Sequence, residues 1–259
     1  MTPATTGSVA GRIESIRGNQ IYFEIHGSGQ PLLLLHGFSG SSLDWAPLAN
    51  EWSGRFELIV PDLRGHGRSR NPSDVFRHAD AAEDVLGILD HLGIRSAKGL
   101  GVSAGANVLL HMATRQPERV EAMVLVSGTS YFPEQARRIM RTYSIESQSE
   151  PERELLWRRH PGGEAQISAL MSNARAFADS YDDMNFTPPV LARITARTLI
   201  VQGDRDPLYP LEISVEMARS IPKSSLWIVP DGGHGPVFGD RRPEFSRIAS
   251  EFLARGAGG

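Results

Sequence analysis

The chain has 259 residues, 40% hydrophobic and 22% charged, with a formal net charge of −3. That length suits one large α/β domain or a core carrying an insertion, and the composition is ordinary for a soluble globular protein. The charge, with Lys98 and Lys223 the only lysines, gives no electrostatic case for nucleic acid, and the lack of cysteine excludes disulfides, thiolate metal sites and a cysteine nucleophile.

Residues 1–10 read as a mobile tail with neither the basic region nor the apolar run of a signal peptide. No stretch is long and apolar enough to span a bilayer, so the expected location is cytoplasmic. Residues 13–16 and 20–24 alternate in polarity around Arg17-Gly18-Asn19 and predict an antiparallel hairpin at a sheet edge. The continuous apolar run 31–35 predicts a strand buried on both faces. Further short runs lie at 56–60, 97–102, 122–126, 198–202 and 226–229. Between them, Ala82, Val85, Leu86, Leu89 and Leu92 make one apolar stripe of a helix over 79–92. Gly87 is unfavourable inside that helix and points to close packing on the sheet. Helices are also predicted over 104–115, 211–220 and 243–253. Strands alternating with helices at this spacing imply a parallel sheet covered on both faces.

The alternation breaks between about residues 131 and 192. This region is charged, lacks a strand-like run, and has helical stretches around 134–143, 152–159 and 164–179. It reads as a helical insertion over the C-terminal ends of the strands, where open α/β sheets bind ligands. Residues 1–130 and 193–259 then form the core domain. Tyr143, Trp157, Met171, Phe177, Tyr181, Met184 and Phe186 of the insertion are expected mainly to pack internally. His160, following Arg158-Arg159, is expected at a solvated helix end.

Gly101-Val102-Ser103-Ala104-Gly105 joins the run 97–102 to the helix 104–115. A serine in this pattern between strand and helix reads as a nucleophile elbow, in which glycines let the two elements pass closely and a strained turn exposes the hydroxyl. Such a serine needs a base, and the base an orienting carboxylate. Asp204, Asp206 and His234 all stand on loops just beyond later predicted strands, where a sheet can aim them at Ser103.

Further segments complete a pattern: His36-Gly37-Phe38-Ser39-Gly40 after the third strand, and Pro61-Asp62-Leu63-Arg64-Gly65-His66-Gly67-Arg68-Ser69 after the fourth. With the Ser103 elbow, the loop from Gly203 to Pro207 and Gly233-His234, the chain resembles the α/β-hydrolase fold family from about residue 11 to 253. The resemblance implies a mostly parallel central sheet with helices on both faces and a helical cap at 131–192. It selects Asp206 over Asp204, because in the family the acid stands three residues after the loop glycine. It selects His234 as the histidine after the glycine pair. Ser103 is then the nucleophile, His234 its base and Asp206 the orienting carboxylate, with the backbone N–H groups of Phe38 and Ala104 as the oxyanion hole. His36 would shape the oxyanion loop, and Asp62 and His66 would fix the geometry of their own loop.

A serine at the elbow separates the chain from relatives that open epoxides or displace halide with aspartate. Phe38 and Ser39 stand where the lipase/esterase type carries further glycines. The resemblance therefore implies a serine carboxylesterase acting on small or medium acyl substrates. Alternatives are a lactonase (an N-acyl-homoserine lactonase, for example), a C–C bond hydrolase or a cofactor-free perhydrolase. From a different class comes a non-hydrolytic ligand receptor on the same fold. The expected partner is a small-molecule ester or lactone, with no cofactor, nucleic acid or membrane. No metal is expected, since no two histidines stand at ligand spacing with a nearby carboxylate.

Overall fold

The computed structural model describes residues 11–73 and 75–255, so the tail expected at 1–10 lies outside the described residues. The strands are β1 (Arg12–Ile16), β2 (Asn19–His26), β3 (Gln30–Leu35), β4 (Phe56–Pro61), β5 (Ala97–Val102), β6 (Val120–Val126), β7 (Arg197–Gly203) and β8 (Ser224–Val229). They form one sheet in the order β1-β2-β4-β3-β5-β6-β7-β8. β2 runs antiparallel to β1, as the hairpin signal implied, and also to β4, and the other pairs are parallel.

The helices are α1 (Ala46–Trp52), α2 (His78–His91), α3 (Ala104–Arg115), α4 (Glu134–Arg141), α5 (Glu150–Arg159), α6 (Gly163–Ala176), α7 (Pro188–Leu191), α8 (Leu211–Ser220) and α9 (Arg242–Ala254). The apolar run of β3 divides between two cores because successive side chains point to opposite faces. Leu33 and Leu35 pack with residues of α2, α3 and α8, whereas Leu32 and Leu34 pack with residues of α1 and α9. A Cβ on Gly87 would stand 2.7 Å from the Ile16 side chain, so the glycine inside α2 lets that helix lie against β1.

Helices α4 to α7 occupy the chain between β6 and β7. The Phe186 N–H donates to the Ser130 carbonyl at 2.9 Å and brings the two ends of most of this segment together. Arg137, 5% exposed, is satisfied internally, donating to the carbonyls of Phe132, Ala178 and Ser180. Leu156, Ile167, Leu170 and Met171 form a small apolar cluster between α5 and α6. Among the described residues no helix is long and apolar enough to cross a membrane.

Candidate active site

β5 delivers the chain to Ser103 and α3 begins at the next residue. Ser103 sits at φ +52°, ψ −113°, a conformation unfavourable for any residue with a Cβ. Its surroundings hold it there. The Ser103 N–H donates to the Val126 carbonyl at 2.8 Å, and its carbonyl accepts the Asn107 N–H at 3.0 Å. The glycines are required by close approach: a Cβ on Gly105 would lie 2.1 Å from the Leu35 carbonyl oxygen, and one on Gly101 would lie 2.4 Å from that of Gly105.

β7 and β8 bring the other two residues to this point. His234 Nε2 is 2.9 Å from Ser103 Oγ, and its Nδ1 is 2.8 Å from Asp206 Oδ2. With Nδ1–H donating to the carboxylate, Nε2 is left as the acceptor for the serine hydroxyl. Asp206 is 7% exposed and its remaining capacity is filled. Oδ1 accepts the N–H groups of Leu208 (2.8 Å) and Tyr209 (3.1 Å), and Oδ2 accepts Gln202 Nε2–H at 2.9 Å. Burial alone would raise the Asp206 carboxyl, but the hydrogen bond and charge of His234, with the two N–H groups, hold it below the ordinary carboxylate range. Asp204 instead accepts the Gly232 N–H at 3.2 Å and does not reach His234. Ser103, His234 and Asp206 thus form one hydrogen-bonded chain.

The loop after β3 lies opposite the start of α3. As a first-turn residue of the helix, Ala104 has an N–H with no intrahelical acceptor. The Phe38 N–H makes no hydrogen bond among the described residues. Phe38 and Ala104 line the same cavity as Ser103, and two N–H groups there would suit an oxyanion. His36 braces this loop, with Nδ1–H donating to the Gly37 carbonyl (2.7 Å) and Nε2 accepting the Leu63 N–H (2.9 Å). Burial pushes its imidazole down, so the ring is neutral, in keeping with that tautomer. Asp62 accepts the N–H groups of Ser42 (2.6 Å) and Arg68 (2.8 Å), which ties the loop after β4 to the loop after β3.

His160 departs from the expectation of a solvated helix end. It is 0% exposed, at the C-cap of α5. Its Nδ1 accepts the Gly67 N–H at 2.9 Å, and Nε2–H donates to the Ser39 carbonyl at 3.2 Å. The physical reason is that two loops fold over this helix end, and their backbone groups need the ring. Burial pushes the imidazole down to about 4.

Other residues at the site carried no sequence signal. Gln202 bridges Asp206 and the Tyr209 carbonyl, and the Ser127 hydroxyl accepts the Gly235 N–H at 3.0 Å beside His234. Asp183 accepts the backbone N–H groups of His78 (2.8 Å) and Ala79 (3.1 Å) and His78 Nδ1–H (2.8 Å), so the cap caps α2. Burial works against its charge, yet the His78 hydrogen bonds dominate and hold the carboxyl well below the usual range.

Ser103 opens into a cavity of about 140 Å³ between the core and α4 and α6. Phe38, Phe132, Ile139, Met140, Phe177 and Leu208 are among the apolar residues of its wall, and neither lysine, arginine nor carboxylate is among the lining residues. Of the insertion's aromatic residues singled out in the sequence, Tyr143 and Phe177 line it, while Trp157 and Tyr181 are exposed.

A family model described as alpha/beta hydrolase fold matches residues 30–144, and one described as TAP-like protein matches 180–257. The 2-hydroxymuconate semialdehyde hydrolase of Pseudomonas putida is 28% identical over 255 residues, covering 88% of each chain. A RutD protein of Caulobacter sp. (strain K31), to which carbamate hydrolysis is ascribed, is 28% identical over 90% of this chain and 96% of its own. Among solved structures, the meta-cleavage product hydrolase CumD of Pseudomonas fluorescens IP01 superposes with a TM-score of 0.78 at 22% identity, over 95% of this chain and 97% of that one. Sheet order, motif positions and these matches agree, and the chain belongs to the α/β-hydrolase fold family.

Proposed function

We propose that the protein is a serine hydrolase that cleaves carboxylic esters of small or medium, uncharged acyl groups. The observation that carries this is the hydrogen-bonded chain from Ser103 through His234 to Asp206, opening into an apolar cavity. His234 Nε2 takes the Ser103 proton as Oγ attacks the acyl carbon. The resulting oxyanion accepts the N–H groups of Ala104 and Phe38. Collapse breaks the ester C–O bond, and His234 gives its proton to the departing alkoxide. Water then attacks the acyl-enzyme, loses a proton to His234, and the acid leaves as Ser103 regains its hydrogen. Asp206 holds the Nδ1–H tautomer throughout and stabilises the imidazolium.

Charge argues against carrying over the substrate in the Pseudomonas putida relative's name. A hydroxymuconate semialdehyde bears a carboxylate, and no lysine or arginine lines this cavity to meet one. A lactone keeps the same chemistry, with the alcohol retained on the product. The test is a panel of p-nitrophenyl esters of graded acyl length, an acyl-homoserine lactone and 2-hydroxymuconate semialdehyde, assayed with wild type and Ser103→Ala. Rapid multiple turnover of neutral esters, lost in Ser103→Ala, is expected. Preferred cleavage of the semialdehyde would overturn the ester reading, and binding without turnover would favour a receptor.

A further inference from the structure

The wall of the cavity is mostly apolar; besides Ser103, its polar side chains are those of His78, Tyr143, Asn107 and Tyr209. Asn107 stands one helical turn beyond Ser103 on α3 and is 1% exposed. Its Oδ1 accepts the Thr129 N–H at 3.0 Å, which fixes which end of the amide is which. Nδ2 is therefore the free end. It is buried and has no hydrogen-bond partner among the described residues. Other buried side-chain atoms share that condition, but none of their residues lines this cavity. A buried donor without an acceptor is uncommon enough in a folded protein to need a reason, and a ligand's oxygen is one.

Tyr209 adds a second donor. It is 4% exposed, its ring meets His234 edge-on at 5.4 Å between centroids, and its hydroxyl lies near the side chains of Asn107 and Ser103, with no hydrogen-bond geometry to Asn107 Nδ2. Burial, helped by the nearby Asp206 charge, pushes the phenol above its ordinary range, so it stays a neutral O–H. Asn107, in the first turns of α3, lines the same cavity as Ser103, and the Tyr209 hydroxyl lies near both side chains. With the acyl carbon at Ser103 Oγ, an acceptor within reach of Asn107 Nδ2 falls on the first or second carbon beyond the carbonyl.

We propose that Asn107 and Tyr209 form a donor subsite for an oxygen on the α or β carbon of the acyl group. The preferred substrates are then esters of alkoxy-, oxo- or hydroxy-acids in place of simple alkanoates. This specificity rests on the ester-hydrolase reading above. A site built to hydrogen-bond a substrate discriminates against the analogue that leaves its buried polar group unpaired.

Two isosteric pairs test it. p-Nitrophenyl methoxyacetate and butanoate differ by an oxygen for a methylene, as do methoxyacetone and 2-pentanone, which bind without being cleaved. Comparing each ratio between wild type and variant cancels the intrinsic reactivity of the esters. The variants are Asn107→Leu and, because that change also loses the Thr129 bond, Tyr209→Phe, which keeps the ring and the backbone. The kcat/KM ratio, methoxyacetate over butanoate, is expected to fall about five- to tenfold in each variant, with a matching fall in the NMR-titrated ketone binding ratio. Ratios within about twofold of wild type in both variants, with esters still turned over, would overturn the subsite alone. Discrimination between the ketones without turnover of either ester would overturn the esterase reading and support the subsite.

Discussion

Replacing His160 with phenylalanine removes both ring nitrogens while keeping a planar side chain of similar size. The Gly67 N–H and the Ser39 carbonyl lose their partners, 2.9 and 3.2 Å away, in a site with no solvent exposure at the ring. An orphaned buried group costs about 1–3 kcal/mol, so the pair is expected to cost roughly 3 kcal/mol near pH 7. The wild-type ring has a second signature. Burial lowers it from 6.5 to about 4, so the unfolded chain binds a proton that the folded chain refuses. The resulting stability is complete above 6.5 and is lost as pH falls through about 4. Between those limits the loss amounts to roughly 3 kcal/mol. The phenylalanine variant has no such loss at this position. Urea unfolding of both proteins at several pH values between 7 and 4 should therefore show a difference of roughly 3 kcal/mol shrinking toward zero. His111, also pushed down by burial, has no charge coupling to His160 and steepens both curves equally, so it cancels in the difference. A difference that stays constant with pH would refute the burial argument, and one below about 1 kcal/mol near pH 7 would refute the two-bond argument.

Asp206→Asn should lower kcat by about three to four orders of magnitude, because an amide cannot hold the Nδ1–H tautomer of His234, while Asp204→Asn should change it by no more than about threefold. Steady-state ester hydrolysis by both variants checks the assignment, which the reverse pattern would sink. Ser103→Gly should abolish turnover and exceed Ser103→Ala in stability by about 1 kcal/mol, since alanine keeps the Cβ at φ +52° and glycine does not. Equal midpoints in chemical denaturation would mean the elbow is unstrained.

The core was legible because its signals are local. The helices predicted over 104–115 and 211–220 have those bounds in the structure, and each parallel strand overlaps one of the short runs read as strands. Helix α1 escaped notice because seven residues with Pro47 at its start are too few to establish a helical period. The three residues of the hydrogen-bonded chain were readable for a similar reason, each lying in a short motif at a strand end. Gln202, Ser127, Asn107, Tyr209 and Asp183 have no such context. Their roles depend on groups brought from elsewhere in the fold, as with the carbonyl 121 positions from His160. For His160 the local sequence was misleading, since two preceding arginines describe a helix end facing water. Tertiary packing overruled it.

The attachments of the cap explain why it is more than a cover for the cavity. His160 bonds the carbonyl of Ser39, the residue after Phe38. Arg159 reaches Asp44 at 2.7 Å, and Gln166 donates to the carbonyls of Gly65 and Gly67 at 3.0 and 2.9 Å. These three contacts converge on the same two loops, which Asp62 already locks together. Asp183 adds a separate hold on the start of α2. The shared apolar packing of α5 and α6 is a small cluster, whereas the polar bonds are directional and at least partly buried, so they fix the cap's position rather than merely its presence. Ser39, at φ +62°, holds a left-handed conformation that its neighbours must maintain. Displacing α5 therefore releases the Ser39 carbonyl and with it the peptide chain that aims the Phe38 N–H. On the proposed ester-hydrolase reading, geometry at the oxyanion and the shape of the acyl cavity would depend on the same helices, so displacing α5 would be expected to change turnover and acyl selectivity together.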